Sequence, residues 1–293
     1  MDILVLGGTR FFGIPMVESL LSAGHKVTIA TRGHNKDNYE SRVERLILDR
    51  NNKDSMKNAL ADKYFDVVID KTSYCSNDIR YAMDAINCGR YILMSSTAVY
   101  EPIHQDSREE DFDAGNKELI WCNRADVSYD EGKQQAECAL LQLNKIANIA
   151  AVRYPVVLGE NDYTGRLLFY VEHVMKGKPM YIDNIDCQMG FIHSEEAGHF
   201  LAWLTEKEYV GPINGCSNGT ISIREILDYV EKRTGRKAII DDKGEPAPYN
   251  GTPAYSVNTD KAKKLGFQFS DLKSWIYDLV DYCIECVGEG NKD

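Results

Sequence analysis

The chain has 293 residues, 43% hydrophobic and 27% charged, enough for one large core or for two lobes sharing a cleft. Its formal net charge of -11 disfavours a general binder of nucleic acid or of an anionic membrane. No apolar run is long enough to span a bilayer, and Met1-Asp2-Ile3-Leu4-Val5-Leu6 lacks the basic start of a secretory leader, so the chain is expected in the cytoplasm with its eight cysteines reduced.

Short runs that are apolar on both faces occur at Ile3–Leu6, Val27–Ala30, Leu46–Leu48, Val67–Ile69 and Tyr91–Met94. That pattern predicts buried parallel strands. Phe11, Phe12, Ile14, Val17, Leu20 and Leu21 fall at helical spacing, and Gly24 ends that helix. A long helix is predicted over Val127–Ile146, followed by a strand at Ala150–Tyr154. Strand–helix alternation of this kind predicts a doubly wound, Rossmann-type parallel α/β sheet over residues 1–158. After Pro155 the pattern changes. Helices are expected at Gly165–Met175, Ser194–Thr205, Ser222–Thr234 and Asp271–Val287, separated by short strands and turns such as Gly211-Pro212-Ile213-Asn214-Gly215. Residues 159–293 are therefore expected to form a smaller C-terminal substrate-binding lobe, with a segment near 186–214 returning to the first domain. Cys283 and Cys286 fall on the last helix as two thiols on one face; with no second CxxC and no metal-ligand spacing among the six histidines, no metal site is expected.

The first strand runs directly into Gly7-Gly8-Thr9-Arg10-Phe11-Phe12-Gly13 and then into a helix. Glycines at such a turn let the backbone approach a pyrophosphate, and the helix N-terminus offers free N–H groups and a partial positive charge. These seven residues are assigned to a dinucleotide cofactor. Arg10 stands where the middle glycine of the usual spacing would be. The second strand ends in Ile29-Ala30-Thr31-Arg32-Gly33, without the acid that binds an adenosine ribose. Arg32 and Arg10 suit a 2′-phosphate, which favours NADP over NAD; with Arg32 as a surface arginine, NAD fits instead. Asp49 ends the third strand, where it either accepts from an adenine amino group or caps a helix near Asn51 and Asn52. Arg50, and Lys71 and Thr72 after the fourth strand, join the cofactor-binding set.

The fifth strand continues into Ser95-Ser96-Thr97-Ala98-Val99-Tyr100, and Tyr129-Asp130-Glu131-Gly132-Lys133 follows later. On a helix, Tyr129 and Lys133 share a face, which would put Lys133 beneath Tyr129 and toward the cofactor, on the nicotinamide ribose. An ammonium beside a phenol favours the phenolate, so Tyr129 can exchange a proton with a carbinol or carbonyl oxygen that Ser96 orients. Thr97 is placed toward the substrate, and Tyr74 either contacts it or packs in the wall of the cleft.

In that order these residues resemble the extended short-chain dehydrogenase/reductase superfamily, in its NAD-dependent epimerase/dehydratase family. Ser95 to Tyr100 looks like the family's S-S-x-x-V-Y element, and Tyr129 with Lys133 its catalytic pair. Arg153-Tyr154-Pro155-Val156-Val157-Leu158-Gly159 resembles the R-P-x-x-V-x-G segment, which implies that Tyr154, Pro155 and Val156 meet the nicotinamide amide. Phe191-Ile192-His193 resembles F-I-H, and Asn258-Thr259-Asp260-Lys261-Ala262 through Leu265-Gly266-Phe267 the C-terminal signature. The G-G-T-R-F-x-G turn is similar to an atypical branch that includes chloroplast stem-loop-binding ribonucleoproteins. The arginine that often precedes F-I-H is absent, Met189-Gly190 standing there; Arg166 is either a substitute anion clamp or a surface residue. The resemblance implies an NAD(P)-dependent epimerase/dehydratase or reductase acting at a carbinol or carbonyl carbon of a small molecule such as a sugar or nucleotide-sugar. It also implies a homodimer. The alternative is a non-catalytic RNA-binding or dinucleotide-sensing protein with the same fold. Trp121, Trp203 and Trp275 are expected to pack helices or cover the core, His193 to be structural, and the Arg108–Asp113 cluster to form a solvated loop over the active site.

Overall fold

In the computed structural model, which describes residues 1–143 and 145–289, the elements run in the order the sequence predicts, with additions. They are β1 (Asp2–Leu6), α1 (Gly13–Ser22), β2 (Lys26–Thr31), β3 (Glu44–Ile47), α2 (Lys53–Leu60), β4 (Tyr64–Asp70), α3 (Ser76–Ala85), β5 (Asn87–Ser96), α4 (Tyr129–Leu143) and β6 (Ile149–Tyr154). There follow β7 (Val156–Leu158), α5 (Arg166–Lys176), β8 (Pro179–Tyr181), β9 (Phe191–His193), α6 (Ser194–Leu204), β10 (Gly211–Asn214), α7 (Ile223–Thr234), β11 (Ile239–Ile240), β12 (Glu245–Pro246), α8 (Asp260–Lys264) and α9 (Ile276–Glu289). The helix expected to reach Ile146 ends at Leu143, and Asn144 within that expectation lies outside the described residues. The last predicted helix is split. Residues 272–274 form a 3₁₀ turn that Asp271 caps, and α9 begins only after Trp275.

Seven strands form one parallel sheet in the order β10-β6-β5-β4-β1-β2-β3. The order reverses between β1 and β4, which opens a crevice at their carboxyl ends. Ile3, Val5, Val17, Leu20, Ile29 and Ile69 pack one face of the sheet against α1 and α6. Leu4, Leu6, Val68, Ile79, Leu93 and Ala139 pack the other against α3 and α4. Both faces are thus covered, the reason β1 has no alternation of apolar and polar residues.

A third core joins α5, α7 and α9 through Tyr170, Val174, Ile226, Val230, Ile276 and Val280. The expected return of the chain to the first domain is built by α6 and β10, the latter extending the main sheet beside β6. Ala262 of α8 and Phe269 return as well, a second crossing that the sequence pattern does not mark.

The Arg108–Asp113 cluster is exposed at Arg108, Glu110, Asp111 and Asp113, as expected, but it does not line the crevice. Glu109 is 2% exposed and accepts from the Asn214 backbone N–H at 2.9 Å, because the segment after β5 folds across the outer edge of the sheet. Farther along, that segment runs beside α4, where Gln135 and Gln142 donate to the carbonyls of Glu118, Ala114 and Lys117. Trp121 likewise departs from expectation: it is exposed beneath Arg80, whereas Trp203 stacks on Phe200 and Trp275 donates to Ser217.

Candidate active site

The crevice is a cleft of about 700 Å³ lined by Gly7, Gly8, Thr9, Arg10, Arg32, Asp49, Arg50, Lys71, Thr72, Tyr74, Arg124 and Tyr163, among others. Its floor is the glycine turn. Gly7 has φ +104°, a conformation L residues rarely adopt, and a Cβ on Gly13 would meet the Gly8 Cα at 2.9 Å. Tyr39 anchors the turn from below, its hydroxyl donating to the Gly8 carbonyl at 2.7 Å. The backbone N–H groups of residues 8 to 12 donate to no protein acceptor among the described residues. The Phe12 side chain, at the N-cap of α1, makes no capping hydrogen bond. A turn without room for side chains, with open N–H groups at a helix N-terminus, has the donor set an anionic diphosphate requires. Phe11 and Phe12, by contrast, pack edge to face at 5.5 Å, so their contribution to the turn is backbone and wall.

Charge along the cleft is uneven. Arg10 lies over the Tyr163 ring at 4.1 Å, and Lys71 over Phe12 at 4.4 Å. Burial, with the neighbouring Arg10 charge, lowers the Lys71 pKa to about 8. Arg32 is exposed at the end of β2. Arg50 turns inward instead. It donates to Asp70 at 2.7 Å, to Thr72 at 2.8 Å and to the Asp78 carbonyl at 3.0 Å, so its guanidinium is a structural member of the cleft floor. Thr72 donates in turn to Asp70. Asp49 does not cap α2. Asn52 does, accepting from the Ser55 N–H at 3.0 Å, while Asp49 accepts from the Asn51 N–H and borders the cleft.

Tyr129 and Lys133 occupy the first two turns of α4, as the i,i+4 spacing requires, but differ in exposure. Tyr129 is 52% exposed, whereas Lys133 is 0% exposed. The Lys133 ammonium donates to the Ser73 carbonyl at 2.7 Å and the Met94 carbonyl at 3.0 Å, and lies 4.6 Å from the Tyr74 ring centroid and 6.0 Å from that of Tyr129. It therefore sits deeper than expected, beneath Tyr74, with one N–H left to give. Burial lowers its pKa to about 8 while Asp70 opposes the shift. Gly132 makes the approach of α4 possible, since a Cβ there would meet the Tyr74 carbonyl at 2.5 Å. The surroundings of Tyr129 raise its phenol above the ordinary value, and Ser96 and the charges of Arg166 and Arg124 pull it back. Ser96 also accepts from the Ala98 N–H at 3.1 Å, which fixes it at the end of β5. Thr97, next to it, is buried in the 3₁₀ turn. Arg166 opens α5 at the surface.

Tyr154 turns away from the cleft. Its side chain is 2% exposed and its hydroxyl donates to the Ala197 carbonyl; Tyr154 pairs with Ser96 and Val156 with Phe191 in their strands, and residues 154–156 do not line the cleft. His193 caps α6, accepting from the Glu195 N–H, and packs on Trp275. Among the cleft residues that escape sequence reasoning are Arg124, in a polar loop without periodicity, and Tyr163, in an exposed turn. No helix among the described residues is long and apolar enough to cross a membrane.

Residues 3–80 match the family model of the NAD dependent epimerase/dehydratase family. A curated relative, the chloroplast stem-loop binding protein of 41 kDa b from Arabidopsis thaliana, is 26% identical over 203 residues, covering 64% of this chain and 50% of its own length. The chain thus spans about half the length of that relative. Solved structures are similar in fold across nearly the whole chain. UDP-glucose 4-epimerase from Thermotoga maritima, with UDP-glucose, has a TM-score of 0.75 at 14% identity, over 98% of this chain and 100% of that one. dTDP-glucose 4,6-dehydratase from Bacillus anthracis, in complex with NAD, has a TM-score of 0.71 at 16% identity, over 96% of each chain. Residues 3–80 thus resemble the NAD-dependent epimerase/dehydratase family, and the chain shares its Rossmann-like fold with these structures.

Proposed function

We propose that the chain is an NAD(P)-dependent enzyme of the short-chain dehydrogenase/reductase type, an epimerase/dehydratase or reductase working at a carbinol or carbonyl carbon of a sugar or nucleotide-sugar, with NADP favoured over NAD. One observation carries the reading: a glycine turn with open N–H groups follows β1 of the same parallel sheet whose β5 ends at Ser96, and Tyr129 opens the helix whose next turn sets Lys133 against the Ser73 and Met94 carbonyls. Two of the similar structures support it by what they hold, UDP-glucose in one and NAD in the other. Residues 1–158 with the returning segment near 186–214 hold the dinucleotide in this reading, and residues 159–293 the substrate.

A bound nicotinamide dinucleotide supplies a hydride acceptor and donor. The chain supplies the rest. Residues 8–12 offer backbone donors to the diphosphate; Arg10 and Lys71 add charge, and Arg32 faces the adenosine end. Tyr129 takes a proton from the substrate hydroxyl, or returns one to a carbonyl oxygen. Ser96 holds that oxygen by a hydrogen bond. Lys133, fixed by Ser73 and Met94, places a positive charge below the two tyrosines and favours the phenolate while it stays protonated, below a pH of about 8.

Replacing Tyr129 by Phe keeps the ring and removes the proton donor. Turnover is expected to fall about 10²–10⁴-fold, with protection by cofactor against thermal unfolding unchanged. Retained turnover overturns the assignment. A second reading, RNA binding without catalysis, has the name of the curated relative in its favour. RNA affinity that falls steeply with added salt supports it, and no affinity at low salt removes it.

A further inference from the structure

Most arginines of this acidic chain are neutralised. Of the fourteen, seven pair with a carboxylate, and Arg90 and Arg236 donate to backbone carbonyls. Among the described residues Arg10, Arg32, Arg80, Arg124 and Arg166 have neither kind of partner. Three of these five, Arg10, Arg32 and Arg124, line the same cleft. The carboxylates lining it, Asp49 and Asp78, are already engaged: Asp49 accepts from the Asn51 N–H, and Asp78 from the Tyr74 N–H with the Arg50 Nε 3.7 Å away. An acidic protein that leaves cations unpaired in one cleft offers that cleft to anions.

The cations separate along the cleft by what they stand on. Arg10 and Lys71 border the glycine turn, and Arg32 directly follows β2. A dinucleotide accounts for these three. Arg124 is left over. Its guanidinium carbon is 3.9 Å from the centroid of the Tyr74 ring, and that ring is 6.2 Å from the ring of Tyr129. Its charge reaches both phenols and acts on each in the direction of the phenolate. Arg124 thus stands beside Tyr74 at the Tyr129 end of the cleft, with its planar fork free.

We propose that Arg124 binds an anionic substituent of the substrate, a phosphate or a carboxylate, and that the natural substrate is an anion whose charged group lies within a few bonds of the carbinol or carbonyl that meets Tyr129. The Tyr74 ring 3.9 Å away supports the guanidinium, whose fork suits two parallel hydrogen bonds to such a group. The inference rests on the reading of Tyr129 as the proton-transfer group.

The test loads the full chain with NADP and follows thermal unfolding with glucose 1-phosphate, glucuronate or glucose. One or both anions are expected to raise the unfolding midpoint and glucose to leave it unchanged; the anion that acts identifies the group as phosphate or carboxylate. Arg124→Ala is expected to weaken that anion at least about tenfold, and Arg124→Lys to keep part of the affinity, while protection by NADPH stays as in the wild type. The proposal is overturned if neither anion stabilises the wild type, if Arg124→Ala leaves the anion's affinity unchanged, or if it weakens NADPH as much as the anion. Absence of protection by either nicotinamide dinucleotide sinks the cofactor reading instead, and the anion arms are then read on the cofactor-free chain.

Discussion

Two regions of this molecule use arginine in opposite ways. At the outer edge of the sheet, Arg153 is 1% exposed and every part of its fork is engaged. It pairs with Glu137 at 2.7 Å and donates to the carbonyls of Glu109 at 2.8 Å and Phe112 at 3.2 Å and to the Tyr100 hydroxyl at 3.2 Å, while Ser95 donates to Glu137 from the other side. In the cleft, Arg10, Arg32 and Arg124 are exposed and meet only rings or solvent. The first arrangement is closed and leaves nothing to offer a ligand. The second is open, stabilises the fold little, and has its full hydrogen-bonding capacity in reserve. A buried ion is retained only where its partners are complete, whereas an unpartnered one in a concave site awaits a ligand.

The sharpest way to break this contrast is to remove Arg153. Arg153→Ala leaves Glu137 buried without its partner and is expected to cost about 3–5 kcal/mol in denaturant unfolding. Replacing both residues by apolar ones of similar volume is expected to cost far less. Equal losses in the single and double variants mean that packing, not charge, holds this edge.

The cleft floor gives a pH test. Burial alone would raise the Asp70 pKa, but the Arg50 charge and hydrogen bonds from Ser73, Tyr91 and Arg50 bring it down to about 2, from an ordinary value of 3.8. A carboxylate depressed by folding adds stability that is complete above the unfolded value and disappears as pH falls through the folded one. Wild-type stability is therefore expected to fall by about 2 kcal/mol on this account between pH 5 and pH 2. Asp70→Asn should lack that component, and parallel curves for the two proteins would contradict it.

The smallest effect expected is at Arg32. Arg32→Glu should reduce any preference for NADPH over NADH about tenfold, read as the ratio of dissociation constants, and leave the stability of the free protein near that of the wild type. An unchanged ratio makes Arg32 a solvated surface group.

Local signals account for what was legible in the sequence. The β1–glycine turn–α1 unit is contiguous, so residues 3–24 announce both the fold and the phosphate site. The burial of β1, β2, β4, β5 and β6 follows from their apolar runs, whereas β3, expected buried at Leu46–Leu48, is the edge strand and largely exposed, Ile47 at 67%. What escaped depends on pairing across distance. Lys133 shares a helix face with Tyr129, but its depth is set by the carbonyls of Ser73 and Met94, 60 and 39 residues away. Glu109 looks like one of a run of surface charges, and only the arrival of β10 buries it. Arg124 sits in a loop without periodicity, and its importance comes from Tyr74, fifty residues earlier. Asp49 and Asn52 compete for one role three residues apart, a choice made by the backbone at residue 52.

The account stands most directly on the cleft as a nicotinamide-dinucleotide site. Thermal unfolding of the full chain with NADPH and with NADH tests that in one measurement. The expected result is a higher midpoint with either cofactor, larger with NADPH at equal concentration. Greater protection by NADH contradicts the NADP assignment, and protection by neither contradicts the dinucleotide site itself.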